Sequence, residues 1–240
     1  MKNKKILLFL KSSIWIIINM LLTGGYMNKN SGEPINELRT DLLIWVDLET
    51  TGLDVADNMH GVHKNKILEV GMHITDKDFN IIDKGFEIVI YHREKDLLPL
   101  MNDYVIDMHT KSGLLEKVKQ SPYDLKTAQQ MMVDYVKSFN IKPGSSPICG
   151  NNVSFDKNFL DAQMPEFAKL LHYRKIDVSS FKEVVTRLYP EVAAQLDKPY
   201  KHRGLDDIQE SIKELKFYQA HIFAPQAAEP EVSNSRKMKP

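Results

Sequence analysis

LLIWVDLETTGL, residues 42–53, begins with an apolar run that predicts a fully buried central strand. Side chains two residues apart in a strand point to the same side, so Asp47 and Glu49 are expected to present two carboxylates together. Such a pair repels itself unless a cation lies beside it, and hard divalent cations prefer carboxylate oxygens. Taken alone, such a stretch is more often just two solvated acids at the end of a strand. Gly52 adds a position where a ligand can approach the backbone closely.

The sequence after this stretch predicts a mixed sheet. Two apolar runs at residues 67–76 and 81–91 are separated by a short turn, which indicates an antiparallel meander. The pattern then changes to helical spacing and short strands: a helix over residues 125–139, strands at 148–150 and 176–178 that are each followed by a helix, and a long closing helix over residues 205–218. A meander followed by strand–helix units predicts an α/β domain with a mixed sheet flanked by helices.

Composition sets limits on size and on partners. The chain has 240 residues, of which 42% are hydrophobic, enough for one substantial core, and we expect that domain at residues 36–223. Lys plus Arg equals Asp plus Glu at 32 each. A protein that coats long nucleic acid usually has a basic excess, so this balance favours a small ligand at a local site. The single cysteine, Cys149, excludes an intramolecular disulfide and a cysteine-based zinc site.

The two ends of the chain differ from the middle. Residues 1–32 contain five lysines and no acid, with apolar runs at 6–10 and 14–22. This pattern is typical of a signal peptide or short membrane anchor, but an extension preceding a true start at Met27 is equally open. We therefore exclude residues 1–35 from the fold, and we expect residues 224–240 to form a disordered tail. A cytoplasmic location is expected; a mitochondrial or membrane-associated one requires the N-terminal segment, and membrane contact requires that residues 6–22 are an anchor.

Three further polar positions follow in order along the chain. Asp156 is expected in the first turn of a helix, His202 in a loop, and Asp207 near the start of the closing helix. Each has an ordinary structural explanation, since acids are favourable at helix N-termini and loop histidines are commonly exposed. The whole set in this order, at these strand and helix positions, is hard to obtain by accident.

Together with Asp47 and Glu49, this set resembles the DEDDh pattern of 3′→5′ exonucleases, whose final motif, H-x-x-x-x-D, selects Asp207 rather than Asp206. Within that superfamily the chain is similar to the oligoribonucleases. The supporting stretches are MHTKSGLLEKVKQS (108–121), SPICGNN (146–152), LHYRKIDVSSFKE (171–183) and HRGLDDIQESIKEL (202–215). The resemblance spans residues 42–223 and implies a ribonuclease H-like fold. It further implies an exoribonuclease that degrades very short RNA, dinucleotides above all, to mononucleotides. An exonuclease of the same superfamily that acts on DNA ends or longer RNA remains the alternative.

The resemblance also implies roles for individual residues. Two Mg²⁺ or Mn²⁺ ions would be held by Asp47, Glu49, Asp156 and Asp207, with Asp47 bridging them, and His202 would be the general base. The implied substrate-binding residues are the base wedge Leu53, the stacking ring Tyr104, His109, Tyr173, Arg174 and Ser179. Tyr173 and Arg174 would come from the second subunit of a homodimer, although ordinary core packing of Tyr173 is an equal alternative.

The sequence departs from the family at several of these contacts. Thr50 stands where the family usually has Met, and Tyr104 stands where it often has Trp. Asn152 and Phe155 occupy two positions near Asp156 that contact substrate in relatives. None of the departures falls on the five catalytic positions.

Overall fold

The computed structural model of the chain describes residues 37–52, 61–196 and 204–223. The chain divides into two compact units, residues 1–39 and 40–240, and only residues 37–39 of the first are described. Within the described ranges, no helix is long and apolar enough to cross a membrane. The predicted N-terminal segment, the predicted C-terminal tail, Leu53 and His202 all lie outside the described residues.

A five-stranded sheet forms the centre of the second unit. Its strands are β1 (Leu43–Thr50), β2 (Ile67–Thr75), β3 (Phe86–Val89), β4 (Ser146–Gly150) and β5 (Leu171–Asp177). They lie in the order β3-β2-β1-β4-β5. β1 pairs antiparallel with β2, and β2 with β3, whereas β4 pairs parallel with both β1 and β5. The predicted mixed sheet, a meander followed by strand–helix units, is confirmed.

Helices flank this sheet. Among the described residues they are α1 (Gly61–Lys64), α2 (Glu94–Leu97), α3 (Asp103–Lys111), α4 (Leu114–Gln120), α5 (Leu125–Lys137), α6 (Ser154–Gln163), α7 (Pro165–Ala168), α8 (Val178–Leu188), α9 (Pro190–Ala193) and α10 (Gly204–His221). The helices between residues 94 and 120 were not predicted. They are short, so few turns repeat the apolar spacing from which a helix is recognised.

Alternation along β1 separates two apolar layers. Ile44, Val46 and Leu48 point to the face covered by α5, α6 and α7. Trp45 points to the opposite face, where it packs with apolar side chains of α8 and α10. The Trp45 indole is fully buried and donates a hydrogen bond from Nε1 to Thr75 Oγ1 at 3.0 Å. Asp47 and Glu49 continue the Trp45 series, so they face α10.

The third strand is shorter than the sequence predicted. Only Phe86–Val89 forms β3, and Ile81 makes a single bridge to Thr75. The reason lies in Asp83, whose buried carboxylate accepts the backbone N–H of Ile74 at 3.0 Å through Oδ2. That side chain takes the place of a backbone acceptor that β3 would otherwise offer to β2, and its Oδ1 is 2.7 Å from Nδ1 of His73.

Candidate active site

The carboxyl-terminal half of β1 supplies two acids to one face of the sheet. The pairing register with β2 shifts between Glu49 and Thr50, and such bulges re-aim side chains where a strand ends. Asp47, Glu49 and Asp207 each offer a carboxylate oxygen, and these oxygens all lie within 4.8 Å of one another. The three side chains are half-buried. Three acids this close together require a neutralising partner.

Asp207 reaches β1 because α10 begins directly on β2. A Cβ added to Gly71 would lie 2.8 Å from the carbonyl carbon of Gly204, a separation that real Cβ atoms essentially never show. Gly71 is itself the register partner of Asp47. The two glycines therefore permit a backbone-to-backbone approach that puts the first turn of α10, and Asp207 in it, beside Asp47.

Asp156 joins the group from the first turn of α6. Its side chain is buried, and its Oδ1 accepts the backbone N–H of Leu48 at 3.0 Å. Burial, followed by the nearby charge of Asp47, raises the pKa of the Asp156 carboxyl well above its ordinary value of 3.8. The Leu48 hydrogen bond opposes that rise, and the charge of Glu49 adds to it. A bound cation would invert this balance and favour the ionised form.

His109, which was predicted to contact substrate, is buried next to the carboxyl-terminal end of β1. The residue is 1% exposed, and Nε2 donates to the carbonyl oxygen of Thr50 at 2.9 Å. Nδ1 lies 4.0 Å from Oε2 of Glu49. In this chain His109 therefore holds the backbone at Thr50, and its ring also lies close to the Glu49 carboxylate.

Three other predicted contacts are on the surface. Tyr104 on α3 is 69% exposed and Tyr173 on β5 is 75% exposed, so core packing of Tyr173, the alternative interpretation, is wrong. The guanidinium of Arg174 lies 5.3 Å from the centre of the Tyr173 ring, within the range of a cation–π contact. Both residues are on β5, an edge strand of the sheet.

Ser179, the last predicted contact, is in the first turn of α8. Its hydroxyl accepts the backbone N–H of Asn152 at 2.9 Å and donates to Oδ1 of Asn151 at 3.1 Å. Asn152 has a φ of 50°, a left-handed conformation that asparagine tolerates better than most residues. The sequence reasoning missed Asn151 and its partner Ser211; the polar pair preceding Asp156 was the available signal.

The donor set fits a hard divalent cation. Asp47, Glu49, Asp156 and Asp207 offer only carboxylate oxygens, and oxygen-only sites suit Mg²⁺ and Mn²⁺ better than softer metals. An exonuclease domain with such an acidic cluster indicates divalent metal binding.

Comparison with known sequences finds close relatives. The exonuclease family described as RNase_T matches residues 44–215. An oligoribonuclease of Haemophilus ducreyi is 45% identical over 189 residues, which is 79% of this chain and 98% of the relative. A probable oligoribonuclease of Dictyostelium discoideum is 44% identical, covering 79% and 95%. An oligoribonuclease of Mycobacterium tuberculosis is 41% identical, covering 78% and 83%.

Solved structures of low sequence identity share the fold. Schizosaccharomyces pombe Pop2p, in a form with Mg²⁺ and Mn²⁺ bound, aligns with a TM-score of 0.58 at 12% identity, covering 89% of this chain and 90% of that one. Exonuclease I from Methylocaldum szegediense aligns with a TM-score of 0.56 at 13% identity, covering 76% and 41%. These alignments confirm the predicted ribonuclease H-like α/β fold.

Proposed function

Because the chain belongs to the oligoribonuclease family of exonucleases, we propose that it hydrolyses very short RNA from the 3′ end to mononucleotides, with dinucleotides preferred. The observation that carries the proposal is the meeting of Asp47, Glu49 and Asp207, whose carboxylate oxygens lie within 4.8 Å of one another. Asp207 on α10 is far in sequence from Asp47 and Glu49 on β1, and Asp156 is tied to the same strand. Carboxylates held this close together repel one another, and such an arrangement supports a catalytic metal site.

The metal ligands divide between strand and helices. Two divalent cations, Mg²⁺ or Mn²⁺, would supply an activated water and charge stabilisation at the leaving oxygen. Asp47 would bridge both ions, Glu49 and Asp207 would ligate one, and Asp156 would ligate the other. The Leu48 amide donates to Oδ1 of Asp156, and Oδ2 makes no contact with that amide.

His202 is the proposed general base. It would take the proton from the attacking water, and imidazoles ordinarily titrate near neutrality, which suits this task. In sequence it precedes Gly204 by two residues, so the segment that leads into α10 also contains the base. Gly204, whose contact with Gly71 places Asp207, is thus only two residues from His202 in the sequence.

Substrate bases would be held by a wedge and a stacking ring. Leu53, just after β1, would pack between the two bases, and Tyr104 would stack on a base face. The high exposure of the Tyr104 ring supports this assignment, since a base requires an open aromatic face. Stacking of this kind is worth about 1–3 kcal/mol per base. His109 and Ser179 are proposed to complete the substrate contacts.

The active form is proposed to be a homodimer in which Tyr173 and Arg174 reach the site of the partner chain. Support comes from the edge position of β5 and from its exposed ring and guanidinium. Val184 and Leu188, one turn apart on α8, the helix that directly follows β5, are 52% and 67% exposed, so this helix offers apolar side chains to a partner chain. Arg174 would close over the 5′ phosphate with a bidentate contact.

Hydrolysis of 5′-phosphorylated RNAs of two to seven nucleotides tests the proposal. With Mg²⁺ or Mn²⁺ present, the dinucleotide should be cleaved fastest, because a third nucleotide would occupy the space that the Arg174 cap needs. Losing one strong charged contact of about 2.8 kcal/mol corresponds to roughly a hundredfold preference. DNA of the same lengths is the control. Faster cleavage of DNA, or of the longest RNA, would favour the alternative substrate class.

A further inference from the structure

Asn151 lies at the centre of a chain of hydrogen bonds that joins three elements around the site. The Asn152 backbone N–H donates to Ser179 Oγ at 2.9 Å, and Ser179 Oγ donates to Asn151 Oδ1 at 3.1 Å. On the other side, Asn151 Nδ2 donates to Ser211 Oγ at 2.6 Å, and Ser211 Oγ donates to the carbonyl oxygen of Asp207 at 2.8 Å. These hydrogen bonds thus run from the loop after β4 to α8 in one direction and to α10 in the other.

The directions of these bonds fix the orientation of the Asn151 amide. Ser179 already accepts from a backbone N–H, so its own hydroxyl proton goes to the amide oxygen. Ser211 gives its proton to a backbone carbonyl, so it accepts from the amide nitrogen. With the amide flipped, both serine hydroxyls would have to rotate, and Ser211 would exchange its bond to the Asp207 carbonyl for one to Asn151. Only asparagine and glutamine have both an amide oxygen and an amide nitrogen in the side chain, and glutamine is longer by one methylene.

This series of hydrogen bonds connects the elements that present two proposed metal ligands. Ser211 follows Asp207 by one helical turn and is 5% exposed, so the Ser211 end of the link to Asn151 is largely shielded from water. Asn151 precedes Asp156 by little more than one turn, in the loop that leads into α6. Asp156 is held to β1 by Leu48, but that bond does not restrain α10. The Asn151–Ser211 bond therefore ties the segment that presents Asp156 to the helix that presents Asp207.

We propose that Asn151 and Ser211 are positioning residues that set the spacing of Asp156 and Asp207 and thereby the affinity for divalent cations. The proposal rests on the proposed metal-dependent function. Neither residue needs to touch metal or substrate for this role. Without the link, α10 is still held on β2 by the glycine contact, but its first turn can shift along the loop after β4.

Mn²⁺ titration of the full chain, by calorimetry without substrate, tests the proposal. Ser211→Ala and Asn151→Ala should each weaken Mn²⁺ binding about fivefold, the size expected for one shielded hydrogen bond. Ser138→Ala is the matched control. That serine makes a similar hydroxyl-to-carbonyl bond, to Tyr135 at the end of α5, and should bind Mn²⁺ as the unmodified protein does.

A double variant separates positioning from general stability. If the two residues act through one bond, Asn151→Ala combined with Ser211→Ala should weaken Mn²⁺ binding little more than either change alone. Variants that unfold at lower temperature yet bind Mn²⁺ with unchanged affinity would overturn the positioning role and leave the proposed function intact. An unmodified protein that binds no Mn²⁺ would instead refute the proposed function itself. If Asn151→Ala does not fold, the milder Ser211→Ala change decides between these outcomes.

Discussion

The backbone N–H of Leu48 lies 3.0 Å from Oδ1 of Asp156 and donates a hydrogen bond to it. The amide belongs to the residue between Asp47 and Glu49, so the main chain of β1 holds the acid from α6 against the two acids of the strand. Asparagine has the same shape and can accept the same hydrogen bond through its own Oδ1. Asp156→Asn therefore removes the charge while keeping this link.

We expect Asp156→Asn to stabilise the metal-free protein, increasingly so as pH rises. Burial and the charge of Asp47 raise the folded-state pKa of Asp156 above its ordinary value of 3.8. The folded state then binds more protons than the unfolded state between those two values, so stability falls as pH rises through the folded pKa. The variant has no such loss. Its Tm at pH 8 should exceed that of the unmodified protein by a few degrees, since about 1 kcal/mol shifts Tm by about 2–4 °C.

Asp161→Asn is the control for that comparison, because Asp161 is an exposed acid on the same helix, paired with Lys157. Its Tm should follow the unmodified protein at every pH. Added Mn²⁺ should raise the Tm of the unmodified protein more than that of Asp156→Asn. Equal pH profiles for all three proteins would contradict the expectation.

Asp47→Asn and Asp207→Asn should each reduce RNA hydrolysis by about a thousandfold with the fold intact. Losing a metal ligand at the reacting centre removes several kcal/mol of charge stabilisation. Asp206→Asn is the matched neighbour, which the H-x-x-x-x-D spacing does not select, and it should keep most of the activity. Mononucleotide release from a dinucleotide measures the effect, and circular dichroism checks the fold. Activity that persists in excess EDTA would refute metal dependence.

His202→Ala should lose most turnover but still bind a dinucleotide. With the native residue, the rate should rise with pH through the ordinary imidazole range, near pH 6.5, because only the neutral ring accepts a proton. The variant should lack this rise. His221→Ala, at the exposed end of α10, is the control. A His202→Ala enzyme that turns over as fast as His221→Ala would exclude His202 as the base.

Mixing two inactive variants tests whether Arg174 acts across a dimer interface. Arg174→Ala should impair dinucleotide hydrolysis while leaving Mn²⁺ binding unchanged. Combined with Asp47→Asn chains, it should recover roughly a quarter of full activity, because random exchange makes half the dimers mixed and each mixed dimer has one intact site. Light scattering measures the oligomeric state of the same samples. An active monomer, or no recovery on mixing despite exchange, would rule out the shared site.

Gly71→Ala should weaken Mn²⁺ binding and RNA hydrolysis together. The added methyl group would lie 2.8 Å from the carbonyl carbon of Gly204, so the start of α10 must move away from β2. Such overpacking costs about 1–3 kcal/mol. Gly113→Ala is a useful comparison, since a Cβ there meets nothing within 4 Å although φ is 74°. It should lower stability through backbone strain without altering Mn²⁺ affinity.

The sequence was sufficient to predict the central strand and the mixed sheet around it, but not the short helices between residues 94 and 120. The apolar run of β1 marks a buried strand, and the two-residue repeat of a strand places Asp47 and Glu49 on the same side, so this part of the site follows from local geometry. The late start of β3 does not follow from local geometry, because a side-chain carboxylate, that of Asp83, replaces a backbone acceptor for Ile74. No spacing rule identifies such a substitution before the tertiary contact is known.

The site was predictable in its acids and not in what holds them. The resemblance to the DEDDh pattern selects Asp156 and Asp207, and each lies in the first turn of a helix. The links that fix their positions are of another kind. Leu48 donates through its backbone, and Asn151 meets Ser211 across a long stretch of sequence. Backbone donors are the same for every residue type, and neutral polar pairs leave no pattern of charge or hydropathy.

The glycine contact between β2 and α10 also sets the order in which the protein becomes competent during synthesis. Three of the four acids precede residue 160 in the sequence, whereas the fourth is delivered by a helix that begins at Gly204. Until that helix has been synthesised and has packed on β2, the proposed metal site lacks Asp207. We therefore expect a nascent chain that lacks its last helix to be inactive toward RNA.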